Sequence, residues 1–451
     1  MAACKLRQSV IDAIKAKNDF LCNVGEHIWK NPEPGFREEK TSAYLTGLLR
    51  DMGLEVKTGL AVTGFRADID TGRPGPTVAV LGELDSLVLP NHPECDKNTG
   101  AVHACGHNCH SAALLGVAAA LKAPGALDDL SGSIRLIAVP AEELIELGFR
   151  KQLKEQGIIR YFGGKQEFMA RGVLDDVNMA FMFHADNEPG LFCGDGFNGC
   201  IIKEATFMGK SSHAGGSPHN GINALYAANC GMQAANCLRE TFPDADHIRF
   251  HPIITQGGAA VNAIPDRVVT ESYLRASSME AMARENLKVN RAFAGAAAAM
   301  GAQVHLWDHH GYAPLIQEPH MKALLQQVGI EIMGEEQVSF GNGWGGGSTD
   351  MGDVSCVMPA IHPSIGGAAG VFHGKDFSIA DPVMACVTGA KVQSAFLVRL
   401  LENDAAEAKR VLAEGRQDYP SITEYLAQID ALCIDKQAVV YDEERGAQLT
   451  F

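Results

Sequence analysis

Three short apolar runs that end in polar residues limit the fold of this chain more than any other feature. The runs are TVAVLGEL at 77–84, SIRLIAVPAEE at 133–143 and VNMAFMFHA at 177–185. Apolar runs of this length are typical of strands buried on both faces, as in a sheet covered by helices. Ligands of open α/β sheets gather beyond the carboxyl ends of the strands. The polar side chains expected there are Asp85, Glu142, Glu143 and His184.

The middle of the chain has a different pattern. Over residues 198–311, strand-like and helix-like segments follow in the order β-α-β-β-α-β, which is that of a split βαβ, ferredoxin-like unit. Buried-strand and glycine-rich character returns after about residue 312. We therefore predict an α/β protein in which a mixed sheet flanked by helices (1–197 and 312–451) carries an inserted α+β domain (198–311).

Composition excludes several classes of partner. The net charge of −16 over 451 residues argues against nucleic acid or an anionic membrane as a partner. No stretch approaches the ~18 uninterrupted apolar residues that a membrane-spanning helix needs, and the N-terminus lacks the apolar core of a secretory signal. The twelve cysteines are scattered without CxxC pairs, as in a reducing compartment. We expect a cytoplasmic protein.

The segment VHACGHNCHSAALLGVAAAL at 102–121 places three histidines and two cysteines at the start of an apolar helix. Cys105 and His107 are one residue apart, so in an extended segment both side chains leave the same side of the backbone, and Gly106 permits a tight turn. We expect Asn108 to cap the helix. Because the positive end of the helix dipole disfavours a bare cation, a metal here needs anionic ligands, which Cys105 and nearby carboxylates could supply.

Residues 102–110, which contain these histidines and cysteines, leave a second interpretation open when considered alone. Cys105 could be a buried apolar cysteine, with His103, His107 and His110 as capping or surface residues. Three distant segments favour the metal site, because each offers a ligand type suited to a binuclear centre. They are PAEE at 140–143, FHAD at 183–186, and VFHGKDF at 371–377, which contains His373.

A set of eight motifs, in order along residues 20–400, resembles a known family. The motifs are GELDSL, HACGHN, PAEE, FHAD, GKSSHAGGSPHNGINAL, GGAAVNAIPD, GGGSTDMGDVS and FHGKDF. They resemble the amidohydrolase branch of the aminoacylase and carboxypeptidase metallopeptidase family (clan MH). Within it the chain is similar to aminobenzoyl-glutamate hydrolases and peptidase-like dipeptidases.

The resemblance implies a zinc-peptidase-like catalytic domain and makes the inserted domain a lid that forms a homodimer or higher homo-oligomer. It implies two divalent metal ions per subunit, with Zn²⁺ preferred and Mn²⁺ or Co²⁺ as alternatives. The implied metal ligands are Cys105, His107, Glu143, His184 and His373.

The resemblance also implies roles around the metals. Glu142 is the general base that takes a proton from the water shared by the metals. Asp85 orients a ligand imidazole, and His213 polarises the scissile carbonyl. Asn262 and Arg275 hold a substrate carboxylate. Plainer interpretations remain open: Glu142, Glu143 and Asp85 as turn residues, His213 as a surface histidine, and Arg275 in a structural salt bridge.

We therefore predict a metal-dependent amidohydrolase that cleaves an N-acyl amino acid or dipeptide-like amide with metal-activated water. One alternative is a hydrolase that uses Cys105 as its nucleophile beside a histidine. Another is a catalytically silent binding or regulatory subunit of a two-subunit amidohydrolase, against which the presence of Glu142 counts.

Overall fold

The computed structural model describes residues 2–442 and 444–450, and the chain divides into two compact units. The first unit contains the residues up to Gly196 together with Ile316–Trp344 and Asp353–Thr423. The second contains Phe197–Leu315, Gly345–Gly352 and the residues from Glu424 onward.

The helices account for much of both units. The α-helices are Ala2–Lys15, Asn18–Trp29, Glu39–Asp51, His107–Leu121, Leu147–Glu155, Gly164–Ala170, Ala224–Asn236, Met279–Ala299, Pro319–Met333, Met351–Val357, Gly389–Glu414 and Ile422–Ala431.

A π-helical turn, Val383–Thr388, leads into Gly389–Glu414. The combined stretch is long and apolar enough to cross a membrane by length and composition. However, 72% of its most apolar window is buried inside the structure, as in the core helix of a globular unit. It is also interrupted at 402–405, where three residues have positive φ.

The main sheet of the first unit has six strands. In spatial order they are Val56–Leu60, Gly64–Asp70, Ser133–Val139, Thr77–Glu83, Met179–Phe181 and Ala360–Ile361. The strands within the three apolar runs of the sequence lie next to one another in the sheet and pair in parallel. Gly64–Asp70 pairs antiparallel with both of its neighbours, Val56–Leu60 and Ser133–Val139. The predicted α/β fold with a mixed sheet is confirmed.

The helix His107–Leu121 packs against Thr77–Glu83 and against Asn18–Trp29. It is apolar around its whole circumference, and all but one of its residues are buried, as expected for a helix enclosed by other elements. This packing fixes the start of the helix next to the carboxyl end of Thr77–Glu83.

Several shorter strands lie outside the two large sheets. Val338–Phe340, Leu191–Cys193, Ser364–Ile365 and His184–Ala185 form one small sheet. Two ribbons pair Leu87–Val88 with Ala101–Val102 and Ala368–Ala369 with Ser378–Ile379. The remaining short strands are Gly196–Phe197, Leu315–Ile316 and Trp344–Gly345.

The second unit has its own six-stranded antiparallel sheet. The spatial order is Arg249–Gln256, Arg267–Ala276, Gly199–Met208, Gln303–Tyr312, Ile434–Asp442 and Gly446–Leu449. Ala224–Asn236 and Met279–Ala299 pack on the sheet around buried residues such as Phe207 and Phe293. The first four strands and two helices have the predicted β-α-β-β-α-β chain order.

The C-terminal segment departs from the boundary drawn from the sequence. Sequence analysis placed 312–451 as a whole in the catalytic domain, but the residues from Glu424 onward belong to the second unit. The reason is backbone pairing, because Ile434–Asp442 joins the edge of Gln303–Tyr312 and then pairs with Gly446–Leu449. The lid and dimerisation role of residues 198–311 stays a prediction.

Candidate metal centre

The side chains predicted at the strand ends of the first unit do meet. Glu142 and Glu143 follow the strand Ser133–Val139, and Ala141 just before them has φ of 54°, so the chain turns sharply there. Both carboxylates are buried. One oxygen of each carboxylate and one ring nitrogen of His107 all lie within 4.8 Å of one another, so the three residues could hold a metal ion.

The helix that carries His107 begins two residues earlier than a cap at Asn108 predicts. Gly106 occupies the N-cap position with φ of 84°, a conformation that favours glycine, and an added Cβ would lie 2.9 Å from the Ala185 side chain. The prediction that Asn108 caps the helix is wrong: it lies inside the helix, and its Nδ2 donates to the Gly25 carbonyl at 3.0 Å. The left-handed glycine directs His107 toward the strand ends.

Asp85 holds two parts of the cluster together. The His107 Nδ1 lies 2.9 Å from the Asp85 carbonyl oxygen and 3.1 Å from its Oδ1, so Nδ1 carries the proton and donates. Asp85 Oδ2 accepts from the Glu143 backbone N–H at 2.9 Å. Because Nδ1 is held by Asp85, Nε2 is the nitrogen left for a metal, as in histidines that bind metals through Nε2.

The remaining three predicted ligands complete two overlapping groups. Cys105 Sγ lies 3.5 Å from His184 Nε2, and His373 Nε2 lies 3.2 Å from Glu143 Oε1. Cys105, His107 and His184 form one group with ligand atoms within 4.8 Å, and Cys105, Glu143 and His373 form another. The five residues therefore converge, and Cys105 belongs to both groups.

Three buried side chains beside this cluster were not predicted from the sequence. Glu83 Oε1 accepts from Lys165 Nζ at 2.7 Å, and Glu83 Oε2 lies 3.1 Å from His110 Nδ1. Glu83, His107 and His110 form a further group able to hold a metal. Glu83 could have been found as a charge ending a buried strand, and His110 from its i,i+3 spacing to His107. Nothing in the sequence marked Lys165.

The charges of this cluster are set by burial and by close neighbours. Burial would raise the pKa of Glu83, but Lys165 and His107 hold it well below its usual range. Burial would lower the pKa of His107, but Glu83 and Cys105 raise it well above normal. Burial and then Glu143 raise the pKa of the Cys105 thiol. The acids and the histidine thus depend on one another for charge compensation.

The donor set fits a divalent metal ion. His107 Nε2 lies 3.2 Å from Glu83 Oε2, yet no described group makes a hydrogen bond of good geometry to this buried nitrogen. The same holds for Glu143 Oε1. Buried polar atoms are normally hydrogen-bonded, so two such atoms beside a thiol and further imidazoles point to a missing electrophilic partner, and sulfur, nitrogen and oxygen ligands suit zinc and its neighbours.

Two predicted residues of the second unit lie together in its loops. His213 and Ala263 form an antiparallel bridge, and Ala214 N donates to the Asn262 carbonyl at 3.0 Å. His213 is exposed, and its Nδ1 accepts from Gly216 N at 2.8 Å, which leaves Nε2 as the nitrogen that can donate. The pairing places His213 and Asn262 on adjacent segments.

Arg275 is not part of this pair. It lies near the end of the strand Arg267–Ala276, while Asn262 precedes the start of that strand. Eight residues of extended chain separate Arg267 from Arg275, or roughly 26 Å. Arg275 Nη1 instead donates to Ser348 Oγ at 2.6 Å.

Comparison with known proteins supports the α/β fold. Residues 64–399 match peptidase family M20/M25/M40. The human Xaa-Arg dipeptidase is 32% identical over 369 residues, covering 80% of this chain and 79% of the relative. An indole-3-acetyl-aspartic acid hydrolase from Enterobacter agglomerans is 32% identical over 290 residues, covering 61% and 62%.

A solved structure adds to the match. It is a dinuclear metal binding peptidase of the M20 family from Bacillus subtilis, 21% identical, with a TM-score of 0.65 over 86% of this chain and 99% of that one. At this identity the likeness concerns the fold. The family match, by contrast, extends over more than half of the sequence. The chain therefore belongs to peptidase family M20/M25/M40 and is a metal-dependent hydrolase of amide bonds.

Proposed function

We propose that this enzyme cleaves the amide bond of a small N-acyl amino acid or dipeptide-like substrate at a pair of divalent metal ions. The observation that carries the proposal is the pair of ligand groups sharing Cys105. The names of the two relatives support the substrate class, because a dipeptidase and an acyl-aspartate hydrolase both act on amides of an amino acid.

The residues that would hold the metals are Cys105, His107, Glu143, His184 and His373. When bound, the metal pair supplies a Lewis acid that polarises the carbonyl and makes water more acidic. A thiolate among imidazoles favours Zn²⁺, with Mn²⁺ or Co²⁺ as alternatives. Asp85 would keep His107 in the tautomer that binds, since it accepts from Nδ1.

Glu142 would move the proton. Its carboxylate lies beside the ligand Glu143 and within 4.8 Å of the His107 ligand atom. There it can take the proton of the attacking water and deliver it to the nitrogen as the C–N bond breaks. The products are a carboxylic acid and an amine, so the proton taken from water ends on the amine.

In the second unit we propose His213 as a donor to the developing oxyanion and Asn262 as a contact for the substrate carboxylate. Their adjacent segments support this pair. Because Arg275 lies at the other end of its strand, it would contact a carboxylate separately from Asn262.

We further propose a homodimer or higher homo-oligomer formed through residues 198–311. The strand Arg249–Gln256 is at the edge of its sheet and exposes Ile253 and Ile254, as an edge awaiting a partner does. A cytoplasmic location is supported by the eleven cysteines with described side chains, none of which forms a disulfide.

Elemental analysis of the purified enzyme, combined with amine release from a panel of N-acyl amino acids and dipeptides, tests this function. We expect two metal equivalents per chain, loss of turnover with a chelator, and recovery when metal is returned. Turnover that survives metal removal and stops on thiol alkylation would instead support Cys105 as nucleophile. Metal binding without turnover on any substrate would support a silent subunit.

A further inference from the structure

A cavity separate from the metal centre lies in the first unit, beside the helix that carries His107. Its volume is 310 Å³, near the lower end for small-molecule sites. Cys109 lines it, and at 100° per residue Cys109 points about 200° away from His107 around the helix. The other walls are the helix Asn18–Trp29 and the segment 378–386. None of the five proposed metal ligands is among its lining residues.

A buried acceptor in this wall lacks a partner. Asn108 is 2% exposed, and its Nδ2 is occupied by the Gly25 carbonyl. Its Oδ1 is buried, and no described group donates to it. Leaving a buried acceptor unmatched is unfavourable, so a hydrogen-bond donor that reached Oδ1 from the cavity would be bound more tightly.

The cavity is acidic. Its lining includes Glu26 and Glu94 but no lysine, arginine or histidine. Trp29 Nε1 donates to Glu94 Oε2 at 2.7 Å, which holds the carboxylate beside the indole ring. Glu26 is paired with Lys30. Burial and then the neighbouring Cys386 raise the pKa of the Cys22 thiol at this site.

We propose that this cavity binds a small primary ammonium compound. Its N–H groups would donate to Asn108 Oδ1, its charge would face Glu94 and Glu26, and its alkyl part would lie against Trp29 and the thiols. A metal ion fits less well, because Cys22, Cys109 and Cys386 do not belong to any described group of three possible metal ligands within 4.8 Å of one another. The proposal is independent of the amidohydrolase function.

Cys22 provides a local readout, because it lines the cavity and is partly exposed. The rate of its alkylation by iodoacetamide is measured by peptide mass spectrometry on the purified enzyme, with butylamine hydrochloride or with the uncharged isostere 1-butanol. Cys230 and Cys237 are exposed and serve as internal controls. At amine concentrations about tenfold above the dissociation constant, mass action predicts a roughly tenfold slower reaction of Cys22, with no change at the controls.

Removing one carboxylate tests the charge recognition. Glu94→Gln should raise the half-protecting butylamine concentration about tenfold, as expected for a lost hydrogen bond to a charged group. The exposed Glu336→Gln is the matched control and should leave it unchanged. Asn108 is left intact because its bond to Gly25 supports the fold.

Four results would overturn the proposal: no protection by butylamine, equal protection by 1-butanol, equal slowing at Cys230, or protection by Zn²⁺ alone. Saturation-transfer NMR of butylamine gives the second measurement, which does not depend on the reactivity of Cys22. A transfer signal lost in Glu94→Gln supports the site, and no signal with the unaltered enzyme rejects it.

Discussion

Each unit of this protein buries a lysine–carboxylate pair, but the polar groups around the two pairs differ in how fully they are hydrogen-bonded. In the second unit Lys203 donates to Asp308 Oδ1 and to Asn290. The other Asp308 oxygen accepts from Asn286 and Asn290, at 2.8 and 2.7 Å. In the first unit Lys165 pairs with Glu83, but the surrounding imidazoles and carboxylates leave His107 Nε2 without a good hydrogen bond.

The difference separates a structural cluster from a functional one. Around Lys203 the charged atoms have neighbours from the same unit, and the leftover atom is a neutral amide oxygen of Asn286. In the cluster around Glu83 the atoms left over are His107 Nε2 and Glu143 Oε1, both of which can bind a cation. Buried charge alone is therefore weak evidence for a functional site, because both clusters have it. The two clusters differ in whether the atoms without a hydrogen bond are good ligands for a cation.

The largest expected effect concerns the proton carrier of the first cluster. Glu142→Gln removes the base and keeps the shape of the side chain. We expect kcat to fall about 10²–10⁴-fold, the usual contribution of general acid–base catalysis, with the metal content unchanged. Turnover of an N-acyl amino acid and elemental analysis measure the two quantities.

The exposed Glu155→Gln is the matched control for Glu142→Gln and should retain full activity. Unchanged turnover in Glu142→Gln would remove Glu142 from the mechanism. Loss of metal along with turnover would make it a ligand instead.

Lys203→Met tests whether the second cluster is only structural. It leaves Asp308 buried without its cation, which should lower the free energy of unfolding by about 3–5 kcal/mol. At temperatures where the variant is folded, its metal content should match that of the unaltered enzyme. Denaturant unfolding and elemental analysis give both readouts.

The exposed Lys436→Met changes the same charge in the same unit and should cost less than about 0.5 kcal/mol. A folded Lys203→Met variant that lost its metal would break the contrast between the clusters.

Metal removal should act on one cluster alone. A ligand present at 100 times its dissociation constant stabilises the folded state by about 2.7 kcal/mol. Chelation should therefore speed amide hydrogen exchange in the helix His107–Leu121, with little change in the strand Gly199–Met208. Equal changes in both would show that the second cluster also depends on the metal.

The sequence predicted the parts of this contrast that depend on local pattern. The apolar runs 77–84, 133–143 and 177–185 identified the parallel strands, because a strand buried on both faces has little polar surface until it ends. The spacing of Cys105 and His107 predicted that they share a site, and the structure brings them within one group.

What the sequence could not predict depends on long-range contacts or single backbone angles. Lys165 meets Glu83 across 82 residues of chain, and no periodicity connects them. The positive φ of Gly106 moved the helix start away from Asn108. The C-terminal strand Ile434–Asp442 joined a sheet formed by residues more than a hundred positions earlier, so its partner had no local signature.

The smallest expected effect extends the contrast to the helix starts. Asn223 closes the start of Ala224–Asn236, since its Oδ1 accepts from Leu225 N at 3.0 Å and from Tyr226 N at 3.1 Å, whereas the helix His107–Leu121 begins without a side-chain cap. Asn223→Ala should therefore lower the free energy of unfolding by about 1 kcal/mol, and Asn223→Gly by only a few tenths. Denaturant unfolding measures both. An alanine variant as stable as the unaltered enzyme would mean that water replaces the cap, and the two helix starts would then not differ in how firmly they are closed.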